Sequence, residues 1–327
     1  MSAPHRFAIL GTAQIAPAFI EGLRLTRGAQ LVGVASRELG KAEAFAHIHD
    51  IPVAWGSYEA ALSAPEIDSI YLPLPNSLHT EWTLRALQAG KNVLCEKPLA
   101  TQASDAERVQ DAMARTGGYV MEGFMYRHHP QWDLVRQVLQ SGRLGELVSM
   151  DSWFTFPLDP SELGPASARL GGGALFDVGC YAVHMFRSLA GCEATEVSAL
   201  RRGADVDTTM QGSLRMASGV LARFECSIEQ DERRGARLTG TQATLHIQRP
   251  WLPGDAPAEL RIERDGVLQE RLQAPVGHCQ QLQLQAFLGA CTDEERRQTW
   301  PIEDAVNNAR ALDALHEAAR SGRSVRL

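Results

Sequence analysis

The sequence predicts a two-domain α/β protein: a doubly wound parallel sheet, then an α+β domain with a large, mostly antiparallel open sheet. Its 327 residues exceed the length that one hydrophobic core usually serves. Short apolar runs alternate with helix-like segments over roughly the first third of the chain, as in parallel sheets covered on both faces. Beyond Glu193, strand-like runs separated by turn residues follow one another with few helices between them. We place the domains at residues 1–123 and 124–327.

Composition narrows the function classes. The chain is 44% hydrophobic and 22% charged, with a net charge of -7 and a pI near 5.8, which argues against a nucleic-acid partner. No apolar run approaches the length of a membrane span, and the first residues do not resemble a secretion signal. The six cysteines form no C-x-x-C pair, and the histidine pairs 47/49 and 128/129 lack further ligands. We therefore expect a cytoplasmic protein without a metal.

The predicted elements follow in chain order. In the first domain we expect strands at 7–10, 31–35, 69–74 and 92–95, and helices at 13–25, 78–88 and 104–115. In the second we expect helices at 131–140, 280–290 and 303–320, and strands at 147–156, 197–201, 208–216, 220–228, 237–239, 244–248 and 259–263. About six of these strands form the second sheet. Its open face should be apolar and need a cover, which predicts a homodimer or homotetramer.

The turn after the first strand reads Gly11-Thr12-Ala13-Gln14-Ile15-Ala16. It is a degenerate form of G-x-G-x-x-G/A, with Ala13 in the second glycine position and Ala16 in the last. Small residues here let a pyrophosphate approach the N-terminus of the following helix. The turn therefore indicates a dinucleotide site.

The second strand ends at Ser36-Arg37, where an NAD enzyme usually carries an acidic residue for the ribose hydroxyls. A hydroxyl and a guanidinium suit a 2′-phosphate, which Arg binds in bidentate fashion. The alternative is an ordinary surface arginine at a helix start. We expect NADP to be preferred, with NAD possible.

The run ending in Glu96-Lys97-Pro98 contains one of only three lysines among 32 basic residues. A partly buried lysine can exchange a proton near neutral pH, which arginine cannot do. Lys91, nearby, has the pattern of an ordinary turn residue. Lys97 is therefore a catalytic candidate at the end of a strand.

Two further segments contain candidate residues. The strand at 69–74 ends at Leu74, and Asn76 and His79 follow it; the alternatives are that Asn76 or Ser77 caps the next helix and that His79 is a packed or capping residue. After three glycines, Asp177, Tyr181 and His184 are spaced i, i+4 and i+7, which predicts one helical face suited to proton transfer. The alternative is that Asp177 caps this helix.

Together these motifs, with Gly-Phe-Met-Tyr-Arg-His-His-Pro at 123–130 and Gly-Gly-Gly-Ala-Leu-x-Asp-x-Gly-x-Tyr at 171–181, resemble the glucose–fructose oxidoreductase, inositol dehydrogenase and rhizopine-catabolism (Gfo/Idh/MocA) family. The resemblance covers nearly the whole chain and implies a Rossmann domain followed by a second α/β domain. Tyr181 stands where the inositol-type branch has His. The chain is therefore more similar to the branch of dimeric dihydrodiol dehydrogenase and NADP-linked D-xylose dehydrogenase.

The resemblance implies roles for particular residues. Lys97 and Tyr181 correspond to the catalytic pair, with Lys97 lowering the phenol pKa and relaying the proton. The implied cofactor contacts are Gly11, Thr12, Ala13, Ile15, Ser36, Arg37, Leu74, Asn76, His79, Glu96, Lys97 and Pro98. The implied substrate contacts are Tyr126, Arg169, Asp177 and Tyr181. The stretch 157–170, where the family's substrate loop lies, is abbreviated beside sugar-oxidising relatives.

The resemblance implies hydride transfer between C4 of NADP and a carbinol carbon of a sugar or related polyol. Alternatives within the class are a trans-1,2-dihydrodiol dehydrogenase and a keto-sugar reductase. Outside it, the alternative is a cofactor- or sugar-sensing regulator, which need not keep Lys97 and Tyr181. Fold-level kinship does not choose the substrate.

Overall fold

The computed structural model describes residues 3–159, 165–254, 256–292 and 301–327. The chain divides into two compact units, Met1–Met125 with His278–Val306, and Tyr126–Gly277 with Asn307–Leu327. We expected a boundary after residue 123 and everything beyond it in the second domain. The segment His278–Val306 instead returns to the first unit, where Phe287 packs in the core against Phe7. A side chain at Gly22 would collide with Gln280, so this close approach needs glycine.

The first unit contains a parallel sheet of six strands within the described residues, in the order β3-β2-β1-β4-β5-β6. The strands are β1 (His5–Leu10), β2 (Ala29–Ala35), β3 (Val53–Trp55), β4 (Ser69–Leu72), β5 (Asn92–Cys95) and β6 (Val120–Glu122). The predicted doubly wound parallel sheet is confirmed. We missed β3 and β6, because three-residue strands are too short to show periodicity. The strand order reverses between β1 and β4, and ligands bind such sheets at the carboxyl ends of the strands beside that point.

The helices of the first unit lie between these strands. They are α1 (Ala16–Arg24), α2 (Leu39–His49), α3 (Tyr58–Ser63), α4 (Asn76–Gln88) and α5 (Ala103–Thr116), with α9 (Cys279–Thr292) from the later segment. Helix α1 begins three residues later than predicted, with Pro17 in its first turn.

Lys91 is not an ordinary turn residue. It is buried, and its Nζ donates to the carbonyl oxygens of Ala64 and Ile67, each at 2.8 Å.

The second unit contains a sheet of nine strands within the described residues, in the order β14-β13-β12-β11-β7-β10-β9-β8-β15. The strands are β7 (Leu147–Pro157), β8 (Ala194–Arg202), β9 (Thr209–Met216), β10 (Leu221–Ser227), β11 (Glu229–Gly240), β12 (Thr244–Ile247), β13 (Ala258–Arg264), β14 (Val267–Ala274) and β15 (Val325–Arg326). Every pairing is antiparallel except that of β7 with β10. The mostly antiparallel sheet is confirmed, but it is larger than the six strands predicted. The mainly exposed β14 and the two-residue β15 lacked an apolar pattern.

Helices of the second unit include α6 (Gln131–Gln140), α7 (Pro165–Arg169) and α8 (Cys180–Ala190), with a π turn at Leu175–Gly179 directly before α8. Helix α10 (Ile302–Ser321) begins in the first unit and ends in the second. No helix in the described part of the chain combines the length and apolar character that a membrane crossing requires. All six cysteines are free thiols.

The open face of the large sheet is more polar than we expected, although the exposed Leu200 and Leu221 also lie on it. Along β9, buried and exposed residues alternate, and the exposed set is Gln211, Ser213 and Arg215. Asp151 accepts hydrogen bonds on this face from Arg223 and from Arg237, the latter at 2.8 Å. Strands with one buried face alternate between buried and exposed residues in this way. The spacing of residues in the sequence does not show which exposed side chains form ion pairs.

His129 generates a testable pH dependence. Its Nδ1 accepts from the backbone N–H of Gln131 at 3.2 Å, at the start of α6, and burial lowers the pKa of the ring below 6.5. The folded state therefore keeps the ring neutral, while the unfolded chain takes up a proton as the pH falls through about 6.5. The stability contribution is present above that pH and is lost below it, by up to about 1.4 kcal/mol per pH unit.

We expect His129→Asn to keep an oxygen acceptor for the Gln131 N–H and to remove this titration. The free energy of unfolding, measured by urea titration, should then fall less between about pH 7.5 and 5.5 than in the unmodified protein. His5, His79 and His128 also have lowered pKa values and titrate in both proteins, so they cancel in the comparison. Identical pH slopes would contradict this account.

Candidate active site

The turn after β1 has the backbone shape that a dinucleotide turn needs. Gly11 has a φ of +103°, and a Cβ there would lie 2.8 Å from Cδ2 of Leu74. Its N–H donates to the carbonyl of Ala35 at 2.8 Å, and the Ala16 N–H donates to the carbonyl of Ala13 at 3.0 Å. Only glycine fits this conformation and space. The turn therefore leads directly into α1 at the carboxyl end of the central strand, with Thr12 and Ile15 in the linking residues.

The exit of β2 places a hydroxyl and a guanidinium in sequence. Ser36 is buried, and its N–H donates to the carbonyl of Trp55 at 3.0 Å, which continues the pairing of β2 with β3. Arg37 is exposed at the edge where the strands end. A hydroxyl and an exposed arginine at this edge fit the 2′-phosphate of NADP.

Helix α4 begins directly after the loop that follows β4, and Asn76 is not its N-cap residue. Pro75 occupies the N-cap position and Asn76 is the first helical residue, without a side-chain cap hydrogen bond at this end. Asn76 therefore does not occupy the N-cap position itself. His79 is fully buried, with Nε2 2.7 Å from the carbonyl oxygen of Leu74 and Nδ1 2.7 Å from that of Pro98.

The His79 ring therefore joins the loops that follow two adjacent strands, β4 and β5. Burial lowers the pKa of the imidazole, and the charge of Lys97 acts in the same direction. The two carbonyl oxygens oppose this shift, since each would accept from the doubly protonated ring. A fully buried ring acts on a cofactor through the loops that it holds.

Lys97 lies at the carboxyl end of β5, in a segment anchored on both sides. Glu96 accepts a hydrogen bond from the Tyr71 hydroxyl at 2.8 Å, and the Leu99 N–H donates to Oε1 of the buried Glu122 at 2.7 Å. The peptide bond between Lys97 and Pro98 is cis. Sequence reasoning missed both Tyr71 and Glu122, because their partners are 25 and 23 residues away.

The neighbours of Lys97 shape its electrostatic surroundings. Burial raises the pKa of Glu96, whereas the charge of Lys97 and the Tyr71 hydroxyl lower it. The Tyr71 ring is itself fixed by stacking on Phe19, with centroids 3.8 Å apart and planes 3° from parallel. A half-buried carboxylate thus lies next to the ammonium of Lys97 in a rigid setting.

Helix α8 starts through a π turn rather than at Asp177. The Cys180 N–H donates to the carbonyl of Leu175, five residues earlier, whereas the Asp177 N–H donates to Gly173 at 2.9 Å. The extra residue changes the angular spacing between Asp177 and the residues of α8. Tyr181 and His184 do share a face of α8, since both rings contact the ring of Tyr126. Such π turns are frequent at functional sites.

The residue that caps this turn is Asp207 and not Asp177. Oδ2 of Asp207 accepts from the Leu175 N–H at 2.7 Å, and its carbonyl accepts from Ala174 at 2.7 Å. Burial raises the pKa of Asp207, while the Leu175 hydrogen bond lowers it. Gly173, with φ of +129°, has no room for a Cβ beside Oδ1 of Asp207. The triple-glycine motif therefore allows a distant carboxylate to fix the start of the Tyr181 helix.

A hydrogen-bonded chain lies beside Tyr181. The Tyr126 hydroxyl is 2.6 Å from Nδ1 of His184, and Nη1 of Arg127 is 3.0 Å from Nε2 of the same ring. Because a guanidinium can only donate, Nε2 accepts and Nδ1 holds the proton. His184 therefore donates to the phenol oxygen of Tyr126, which directs the hydroxyl hydrogen of Tyr126 away from His184. The sequence named Tyr126 and His184 but gave no sign that they are bonded.

Aromatic rings surround Tyr181 within the second unit. Its ring centroid is 5.5 Å from that of Trp251 and 5.7 Å from those of Tyr126 and Phe154. Sequence analysis did not single out Phe154 or Trp251, which come from distant segments. The phenol of Tyr181 is therefore held in a largely apolar, aromatic wall.

Two remaining predictions concern the substrate loop and metals. Arg169 is exposed at the end of α7, and residues 160–164 of the abbreviated loop lie outside the described residues. Across the described residues, no three His, Cys, Asp or Glu side chains are grouped as metal ligands. Each unit thus brings its own candidates together: Gly11, Ser36, His79, Glu96 and Lys97 at one sheet edge of the first, and Tyr126, Tyr181 and His184 around α8 in the second.

A parallel sheet with a glycine turn after its first strand defines a dinucleotide-binding Rossmann domain, and a second α/β domain follows it in many NAD(P)-dependent oxidoreductases. Residues 5–124 match the "Oxidoreductase family, NAD-binding Rossmann fold" description (GFO_IDH_MocA), and residues 132–246 match the "GFO/IDH/MocA C-terminal domain". The chain belongs to the Gfo/Idh/MocA family of oxidoreductases, as the sequence motifs predicted.

Individual relatives agree with this family. D-xylose 1-dehydrogenase (NADP(+)) 2 of Haloferax volcanii is 34% identical over 98% of this chain and 99% of the relative. The trans-1,2-dihydrobenzene-1,2-diol dehydrogenase of Mus musculus is 34% identical over 68% of each chain. A solved structure of a 3-ketoreductase from Actinomadura kijaniata, in complex with NADP and TDP-benzene, has a TM-score of 0.90 at 30% identity, covering 96% of this chain and 98% of that one.

Proposed function

We propose that this protein is an NADP-dependent oxidoreductase that interconverts a carbinol and a carbonyl group on a sugar or related polyol. The observation that supports this most strongly is the position of Lys97 at the carboxyl end of β5, in a segment whose neighbouring residues are held by His79, Tyr71 and Glu122, within a family of oxidoreductases. One relative is named as an NADP(+)-dependent D-xylose 1-dehydrogenase, and one similar solved structure is a 3-ketoreductase in complex with NADP. The cofactor, when bound, accepts or supplies the hydride at C4 of its nicotinamide.

In the oxidative direction, the substrate hydroxyl loses a proton while its carbon loses a hydride. Tyr181 is our candidate for the group that takes this proton, and Lys97 for the group that lowers the barrier to its transfer. In the reductive direction, the same groups return the proton to the carbonyl oxygen. A phenol titrates near pH 10 in water, so proton transfer near neutral pH needs a nearby positive charge.

The aromatic wall around Tyr181 favours a second candidate substrate class. Phe154 and Trp251 present apolar rings beside the phenol, and an apolar pocket suits a trans-dihydrodiol better than an aldose. One relative is named as a dehydrogenase of this class. An absorbance assay at about 340 nm distinguishes the two substrate classes. The protein is mixed with NADP or NAD and with D-xylose, D-glucose or a trans-dihydrodiol, and formation of the reduced cofactor is followed.

Turnover with a sugar supports the first proposal, and turnover with the dihydrodiol alone supports the second. A keto-sugar with NADPH tests the reductive direction in the same assay. Tight NADP binding without turnover in either direction on any of these compounds would contradict the proposed enzyme activity and favour a sensor.

We expect Tyr181→Phe and Lys97→Met each to lower kcat by about 10²–10⁴, the usual scale for lost acid–base assistance. Lys97→Arg keeps the positive charge but cannot release a proton, so it should lose activity as well if Lys97 transfers protons. Tyr119→Phe, in the core of the first unit, is the matched control for loss of a buried phenol and should retain kcat. Stopped-flow or steady-state NADPH absorbance measures each effect.

The double variant tests whether both groups serve one step. If they do, Tyr181→Phe with Lys97→Met should be little slower than the worse single variant, because losses within one catalytic unit are not additive. A residue whose variant keeps full kcat would have no part in the mechanism.

We further propose that NADP is preferred over NAD through Ser36 and Arg37. Arg37→Asp replaces a phosphate partner with a repelling charge, so kcat/KM for NADP should fall by at least about tenfold while that for NAD changes little. The cofactor selectivity ratio is the measurement. An unchanged ratio would remove Arg37 from phosphate recognition.

We also propose a cytoplasmic homodimer or homotetramer, with the open face of the large sheet in the interface. Alternating charges on that face, such as Asp151 between Arg223 and Arg237, can pair with their copies across a two-fold axis. Because these pairs are ionic, association through them should weaken at high salt. Light scattering at micromolar concentration measures the mass, and a monomer at low salt would contradict the proposal.

A further inference from the structure

Arg234 lies on the same face of the large sheet as the aromatic wall around Tyr181. In the pairing of β11 with β7, Arg234 is opposite Phe154, and its Cζ atom lies over the Phe154 ring, 5.1 Å from the ring centre. The Phe154 ring is in turn 5.7 Å from the ring of Tyr181, measured between centroids. One aromatic ring in the second unit therefore contacts both the arginine and the candidate catalytic phenol.

Arg233, the preceding residue of β11, points to the opposite, open face of the sheet, because side chains alternate along a strand. Its guanidinium donates to Glu225 at 2.6 Å and to Gln230 at 3.1 Å, and the side chain lines a cavity on that face. The two adjacent arginines thus carry the same charge in different surroundings. Arg233 is therefore a matched control for any effect of Arg234.

The guanidinium of Arg234 has a buried donor without an acceptor. Its Nε atom is inaccessible to solvent and has no hydrogen-bond partner among the residues that the structure describes. Its Nη2 atom lies 2.9 Å from Oε1 of Glu232, whose side chain is 60% exposed. Buried donors in native proteins nearly always have an acceptor, so the unpartnered Nε points to one that a ligand supplies.

The surroundings of Arg234 suit an oxyanion as that ligand. The side chain is 27% exposed although it shares its face of the sheet with the buried Phe154, so this part of the face is open to solvent. Nε and Nη2 lie on one edge of a guanidinium, and an oxyanion that replaces the exposed Glu232 carboxylate at Nη2 can also accept from Nε. A guanidinium over an aromatic ring is held in place and keeps its fork of donors for such a group.

We propose that Arg234 is a specificity-determining residue, whose guanidinium binds a carboxylate or phosphate group carried by the sugar substrate. This inference rests on the proposed sugar oxidoreductase function and narrows its substrate to an anionic sugar. The oxyanion binds beside Phe154 while the reacting hydroxyl lies at Tyr181. Two fixed contacts along the aromatic wall then orient the reacting carbon.

The test measures the affinity of the purified full chain for D-glucose, D-glucuronate and D-glucose 6-phosphate by calorimetry at constant ionic strength. The protein is loaded with NADPH, which prevents oxidation of the sugar during the titration. We expect one anionic sugar to bind about 10- to 100-fold more tightly than D-glucose, the usual scale for hydrogen bonds to charged groups. Preference for the glucuronate identifies a carboxylate site, and preference for the 6-phosphate identifies a phosphate site.

Three variants assign this preference to Arg234. Arg234→Gln should abolish it and leave the Kd for D-glucose within about twofold, whereas Arg233→Gln removes the same charge on the open face and should keep it. Glu232→Gln removes the competing carboxylate, so it should tighten binding of the anionic sugar by about 2- to 5-fold and leave D-glucose unchanged. A purely structural role of Arg234 would instead lower the melting temperature and weaken all three sugars alike.

Equal affinity for the three sugars, or no binding of any of them, would overturn the inference. So would a preference that survives in Arg234→Gln, or one that Arg233→Gln abolishes equally, which would indicate a general effect of charge.

Turnover assays separate this inference from the proposed function. If neutral sugars are oxidised with the same kcat/KM by the unmodified protein and by Arg234→Gln, and anionic sugars bind no better, the proposed function stands and the role of Arg234 is wrong. If the anionic preference depends on Arg234 but no sugar is oxidised with NADP or reduced with NADPH, the binding site stands and the proposed enzyme activity fails.

Discussion

The candidate catalytic segment depends on polar side chains buried behind it. The loops after β4 and β5 would otherwise be independent, but the His79 ring lies 2.7 Å from a carbonyl of each. Glu122 accepts a hydrogen bond from the Leu99 N–H, and the Tyr71 hydroxyl donates a hydrogen bond to Glu96. The residues on both sides of Lys97 therefore have fixed partners. Groups that must act within tenths of an ångström are usually held by a supporting shell of this kind. These bonds fix the backbone on both sides of Lys97, whose side chain is itself only partly buried.

In the second unit, the candidate residue Tyr181 is positioned by a capped π turn and by ring packing. Asp207 caps the π turn from a distant loop, and Gly173 leaves room for its carboxylate. The register change in that turn decides which side chains of α8 face Tyr126. Packing of three aromatic rings then fixes Tyr181, so a single phenol is oriented by backbone register, capping and ring contacts together.

Much of the fold was predictable because it rests on local patterns. The parallel sheet, the glycine turn, the Lys97 strand end and the family all follow from short motifs in order along the chain. The errors lie where contacts are remote or local periodicity fails. The return of His278–Val306 to the first unit depends on packing against Phe7, and the π turn inserts a residue that 3.6-residue spacing does not allow. The ion pairs on the open face of the large sheet could not be predicted, because alternation identifies the buried face of a strand and not the partners of its exposed side chains. Tyr71 and Asp207 have hydrogen-bond partners 25 and 32 residues away in sequence.

Several buried histidines serve as hydrogen-bonding groups. His129 accepts a backbone N–H, which disfavours a second ring proton. Burial lowers the pKa of His79 and, further, that of His128. Residues that titrate near neutral pH in water are thereby used as neutral hydrogen-bonding groups. The reaction moves one proton with each hydride, and the carriers that we propose are the phenol of Tyr181 and the ammonium of Lys97.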